Sequence, residues 1–97
     1  MVTIKVGSGR KFNVHISKAA RETAEKMPIR EQSILKTLVE EMQLLGPIRK
    51  NRRNFSAIGK NKFHCHLSYK WIACWEWKRG TIIIEVFYVG SREKAPY

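Results

Sequence analysis

The spacing of the apolar residues passes from a helical to a strand period at Gly46-Pro47. Before that point Leu35, Leu38, Val39, Met42 and Leu45 recur at intervals of three and four, the spacing of one face of an α-helix. After it Phe63, Cys65, Leu67 and Tyr69 alternate with His64, His66, Ser68 and Lys70, the spacing of a strand with two unlike faces. Glycine can close the helix with a backbone conformation other residues avoid, and proline has no N–H with which to continue it. A chain divided in this way must lay helices from its first half on a sheet drawn largely from its second.

The remaining segments fit that plan. Val2, Ile4 and Val6 alternate with polar residues, as do Phe12, Val14 and Ile16, with Gly7-Ser8-Gly9 as a turn between them. Residues 1–9 therefore read as an extra strand or an arm, followed by one strand. Ser17 stands where a helix N-cap belongs, and Ala20, Ala24 and Met27 share one face of the short helix after it. Pro28 suits the opening of a second helix. Phe55 to Ile58 is a short strand, Gly59-Lys60-Asn61 a turn, and Trp71 to Trp77 a further strand. Lys78-Arg79-Gly80 is another turn, and Thr81 to Val89, apolar on both sides, is expected inside the sheet. The expected fold is α+β: an N-terminal strand or hairpin and a two-helix hairpin packed on a three- to four-stranded, largely antiparallel sheet. One domain over residues 1–97 suits the length.

Charge narrows the function. Nineteen Lys and Arg stand against eight acidic residues, a net charge of +11, and every acid is glutamate. Residues 47–79 carry Arg49, Lys50, Arg52, Arg53, Lys60, Lys62, Lys70, Lys78 and Arg79 against Glu76 alone. Such clustering points to a polyanionic partner, and Arg49 to Arg53 read as a phosphate-binding patch. The scarcity of carboxylates outside the helices argues against two-metal phosphoryl chemistry. The sequence has neither the apolar run of a membrane span nor that of a secretory signal, so a cytoplasmic location without membrane attachment is expected. Cys65 and Cys74 lie in apolar strands and are expected to be buried free thiols, with one disulfide as the alternative.

His64 and His66 fall on one strand face, where two imidazoles can act as acid and base, bind a metal, or simply be half-exposed. Cys65 between them points the other way, which excludes a three-ligand His-Cys-His site, and no second cluster supplies zinc ligands. Trp71, Trp75 and Trp77 share a face: Trp75 is expected in the core and Trp71, at the strand start, exposed for stacking on a base. The tail from Gly90 to Tyr97 either frays or brings Arg92 and Tyr97 to the sheet rim near His66.

Taken together, these residues resemble the RelE/ParE toxin superfamily of bacterial toxin–antitoxin systems, over about residues 12–97. Lys62-Phe63-His64-Cys65-His66-Leu67-Ser68-Tyr69-Lys70-Trp71 is similar to the YafQ-like branch, in which the active-site histidine is followed four and five residues later by Asp-Trp. His66 and Trp71 match that histidine and tryptophan, while Lys70 stands in place of the aspartate. Gly90-Ser91-Arg92 is similar to the Gly-Thr-His of that branch and the Gly-Lys-Arg of RelE, and Tyr97 to the family's terminal aromatic. Residues 1–9 lie outside the pattern.

The resemblance implies a metal-free, cofactor-free mRNA endoribonuclease, usually acting in the ribosomal A site, in which the 2′-hydroxyl attacks the adjacent phosphate. By that resemblance His66 is general acid or base, Arg92 stabilises the transition-state phosphate, and Tyr97 transfers a proton or orients. Trp71 is a stacking platform, and Arg52, Arg53, Lys60, Lys62, His64 and Lys70 hold mRNA or rRNA. A cognate antitoxin is the implied protein partner, bound tightly and more weakly in salt. Two other readings share the fold: a ParE-like inhibitor of DNA gyrase without nuclease residues, and a non-catalytic RNA-binding module.

Overall fold

The computed structural model describes residues 11–97, so the extra strand or arm expected over residues 1–9 lies outside the described residues. The elements run β1 (Asn13–Ile16), α1 (Lys18–Glu25), α2 (Ile29–Leu45), β2 (Ser56–Gly59), β3 (Lys62–His66), β4 (Trp71–Trp77), β5 (Ile83–Ser91) and a terminal 3₁₀ turn (Arg92–Lys94).

Both helices have local causes. The Ser17 hydroxyl accepts a hydrogen bond from the Ala20 N–H at 3.1 Å, which caps α1 at a donor that no helical carbonyl can reach. Pro28 is the N-cap of α2, whose missing N–H would have had no partner there. Leu35, Leu38, Val39 and Met42 form the buried face of α2. Truncating Leu38, which is wholly buried, would cost about 2–5 kcal/mol. Gly46 ends α2 at φ +92° and ψ −172°, so it has the expected positive φ but an extended ψ, not the left-handed helical cap. A Cβ at Gly46 would stand 3.0 Å from the Phe12 ring, which adds a steric reason for glycine.

The sheet has five strands in the order β1-β5-β4-β3-β2. β1 runs parallel to β5, and the other pairings are antiparallel. β4 occupies the bounds expected for it, whereas β5 starts two residues later and ends two residues later than the apolar run suggested. Its extension through Gly90 and Ser91 pairs these residues with Ile72 and Trp71.

One sheet face carries the core. Phe63, Cys65, Ala73, Trp75, Ile84, Val86 and Val89 pack there against Ala20, Met27 and the buried face of α2. Phe55, Phe63 and Trp75 form an aromatic group with centroids 5.6 to 6.4 Å apart. Trp75 is fully buried, and its indole N–H donates to the Pro47 carbonyl at 2.9 Å, tying the central strand to the end of α2. His64, His66, Ile72, Cys74, Tyr88 and Gly90 alternate onto the opposite face, away from the helices. Cys65 and Cys74 are thus on different faces, both buried and both free. Burial pushes each thiol up to about 12, so neither is a ready nucleophile. Among the described residues, no helix is long and apolar enough to cross a membrane.

Candidate active site

The helix-free face becomes a site at one end of the sheet, where the β3–β4 turn meets the end of β5. His66 closes β3, and its N–H donates to the Arg53 carbonyl at 2.8 Å. Arg92 follows β5, and its N–H donates to the Lys70 carbonyl at 2.9 Å, which locks the tail to the β3–β4 turn. The chain then folds back and lays the Tyr97 ring 4.7 Å from that of His64, itself 5.7 Å from His66. A shallow cleft of about 150 Å³ between the β3–β4 turn and the start of the tail is lined by Tyr69, Lys70, Ser91, Arg92 and Glu93.

Electrostatics distinguish the two histidines. His66 is held below its ordinary pKa of 6.5 by burial first, then by the charges of His64, Arg92 and Arg53. Each of these effects favours the neutral imidazole, the form that can accept a proton. His64 is only 7% exposed, and its Nδ1 lies 3.1 Å from the Ser56 hydroxyl on the paired strand. Enclosed between Ser56 and Tyr97, it has little surface left to offer RNA. Burial raises the Tyr97 phenol above its ordinary value, with Cys74 and Tyr88 adding to this and Arg92 opposing it.

The basic residues divide. Arg53 is exposed beside His66, and Lys70 is exposed at the cleft. Arg52 turns to the helix side, where Glu41 holds its guanidinium at 2.8 Å and also takes Arg49 at 3.5 Å. The expected patch from Arg49 to Arg53 is therefore split, and Arg52 is an internal ion-pair partner, not a free phosphate ligand. Lys60 and Lys62 are exposed at the other end of the β2–β3 hairpin. Lys62 shares the face of His66, with its ammonium 6.0 Å from the Phe87 ring. It stands roughly 13 Å from His66 along the strand. Trp71, expected exposed at the strand start, instead alternates onto the helix side, half-buried against the core and on the face opposite His66.

Two contributors escaped the sequence. Tyr88 reaches the His66 face because Phe87 is an extra residue in β5: Cys74 pairs with Tyr88 but Trp75 with Val86. Strict alternation from Ile84 and Val86 would have put Tyr88 in the core. Its hydroxyl donates to the Ser91 carbonyl at 2.8 Å, bracing the strand end that presents Arg92. Tyr69, the second, projects from the β3–β4 turn and is 74% exposed, with the Arg92 guanidinium 5.1 Å from its ring centroid. Alternation places it with Phe63, Cys65 and Leu67, but β3 ends at His66 and the turn leaves it exposed. Among the described residues, no three His, Cys, Asp or Glu side chains gather as metal ligands would.

No protein-family model matches this sequence, and none of the curated proteins aligns with it significantly. Solved structures do match. The RelE–RelB complex of the archaeon Pyrococcus horikoshii superposes with a TM-score of 0.70 at 10% identity, over 88% of this chain and 99% of that one.

The chain has a RelE-like fold.

Two further structures have it too. The YoeB dimer of Staphylococcus aureus matches with a TM-score of 0.65 at 9% identity, over 82% of this chain and 95% of that one. YafQ in the DinJ–YafQ toxin–antitoxin complex of E. coli matches with a TM-score of 0.58 at 12% identity, over 86% and 94%. At such identities side chains do not carry over with the backbone. The RelE-like frame explains only why residues from the end of β3, the β3–β4 turn and the chain's end meet; their chemistry belongs to this sequence.

Proposed function

We propose that the protein is the toxin of a toxin–antitoxin pair and cuts mRNA, on the ribosome, by attack of a 2′-hydroxyl on the adjacent phosphodiester. The observation that best supports this reading is that the Arg92 charge acts on both His66 and Tyr97, while the Tyr97 ring packs on His64, the neighbour of His66 on the same face. Neutral His66 takes the proton from the 2′-hydroxyl. Arg92 neutralises the charge that builds on the phosphorane, where a cation is worth more than in the ground state. Tyr97, which holds its proton at neutral pH, gives it to the departing 5′-oxygen. Bond-making at the 2′-oxygen and bond-breaking at the 5′-oxygen leave a cyclic phosphate and a free hydroxyl. Arg53 and Lys70 hold the flanking backbone, contributing affinity and position but no sequence choice.

An antitoxin with an acidic segment fits the same surface, and its binding weakens as salt rises. The assay is cleavage of a translated mRNA by the wild type, His66→Ala and Arg92→Ala. The expected result is strand breaks with the wild type and a loss of about 10²-fold or more in each variant. If no transcript is cut and both variants still arrest growth, the nuclease reading is lost. Relaxed plasmid accumulating in the presence of DNA gyrase would then favour a gyrase inhibitor.

A further inference from the structure

Removing Trp71 from the cleft leaves no obvious surface on which a nucleotide could rest its base. Lys70 and Arg92 supply cations for phosphate, but point charges alone do not orient a ribose for attack by its own 2′-oxygen. That geometry needs the base fixed as well. Tyr69 is the large aromatic side chain at the cleft. It is 74% exposed, comes from the same turn as Lys70, and has Arg92 over its ring.

We propose that Tyr69 is the platform on which an unstacked nucleobase of the bound RNA lies, with Arg92 moving from the tyrosine ring to the neighbouring phosphate. The proposal rests on the RNA-cleavage reading and names how that site grips its substrate. In the free protein the guanidinium rests 5.1 Å from the ring centroid, a contact that is weak where water reaches both partners. Base–aromatic stacking is the stronger contact, and a phosphate is the better partner for arginine, so both exchanges favour the bound state. The Tyr69 face and Arg92 are neighbours before RNA arrives, so base and phosphate of one nucleotide can engage together. Glu93, on the cleft wall, disfavours phosphate there and leaves the Lys70–Arg92 side as the backbone track.

The test uses the full chain and a short single-stranded RNA methylated at every 2′-hydroxyl, which cannot be cut, with inorganic polyphosphate as a polyanion lacking bases. Tyr69→Ala should bind the methylated RNA about tenfold more weakly and polyphosphate as the wild type does, and Tyr69→Phe should match the wild type on both. Equal loss on both ligands would mean that Tyr69 acts only by placing Arg92, and the proposal would fall. It would fall equally if Tyr69→Ala bound the RNA normally, or if the wild type did not bind it. A wild type that grips methylated RNA through Tyr69 yet cuts no translated message would keep this inference and remove the nuclease reading. Circular dichroism checks that the variants are folded, which the exposure of Tyr69 favours.

Discussion

The ring of Tyr97 lies 4.7 Å from that of His64, at an interplanar angle of 50°. The last residue of the chain is thereby held over the middle of β3 by a histidine that is itself fixed by Ser56. Tyr97→Phe keeps the ring contact and deletes the transferable proton. It should reduce the cleavage rate about 10²-fold while leaving the melting temperature unchanged, as single-turnover kinetics and thermal unfolding would report. Wild-type cleavage by Tyr97→Phe would assign proton donation elsewhere.

His66 should set the acid limb of the pH profile. Burial and the nearby positive charges lower its pKa, so the imidazole protonates at a lower pH than a free histidine, and the midpoint of the acid limb should lie below 6.5. Protonating it in the folded state is harder than in the unfolded chain. Any stability tied to its neutral form is therefore lost as pH drops from the ordinary value through the folded one. Arg53→Gln removes one of the opposing charges, so the His66 midpoint, followed by NMR titration, should rise.

Arg52 and Arg53 are adjacent in sequence and face different partners. Arg53→Ala should weaken RNA binding and flatten its salt dependence by about one counterion, whereas Arg52→Ala should leave both nearly unchanged. Losing the partly buried Arg52–Glu41 pair should instead cost about 1 kcal/mol in urea unfolding. Burial alone would raise the Glu41 pKa, but hydrogen bonds from Arg52, Asn51 and Arg49 and the Arg52 charge bring it below 4.5. Its contribution is therefore present above the ordinary carboxylate value and lost as pH falls through the lowered one.

Gly90 and Tyr88 form a steric pair. A Cβ at residue 90 would stand 2.8 Å from the Tyr88 hydroxyl oxygen and 2.9 Å from its Cζ. Gly90→Ala should destabilise the protein by about 1–3 kcal/mol and reduce cleavage by displacing the brace under Arg92. Tyr88→Ala in the same chain should relieve the stability loss, and a double-mutant cycle measures the coupling.

Local signals were legible wherever one residue type suffices. The Ser17 cap, the Gly46-Pro47 stop, the bounds of β4 and the burial of Trp75 each follow from a side chain's own donors, dihedrals or apolar area. For Trp71 and His64, strand parity gives a side but not what covers it. Trp71 faces the core on the helix side, and His64 is roofed by a residue 33 positions later.

The α+β plan, the basic character and the identity of every chemical group are written in residue order, because helix and strand periods and side-chain charge are properties of short stretches. Two outcomes needed the assembled sheet: Tyr88 turned toward His66 by the Phe87 bulge, and Tyr97 returned over His64. Each is a contact between segments distant along the chain. Its existence depends on strand register and on the path of a tail, quantities that no local run of side chains encodes.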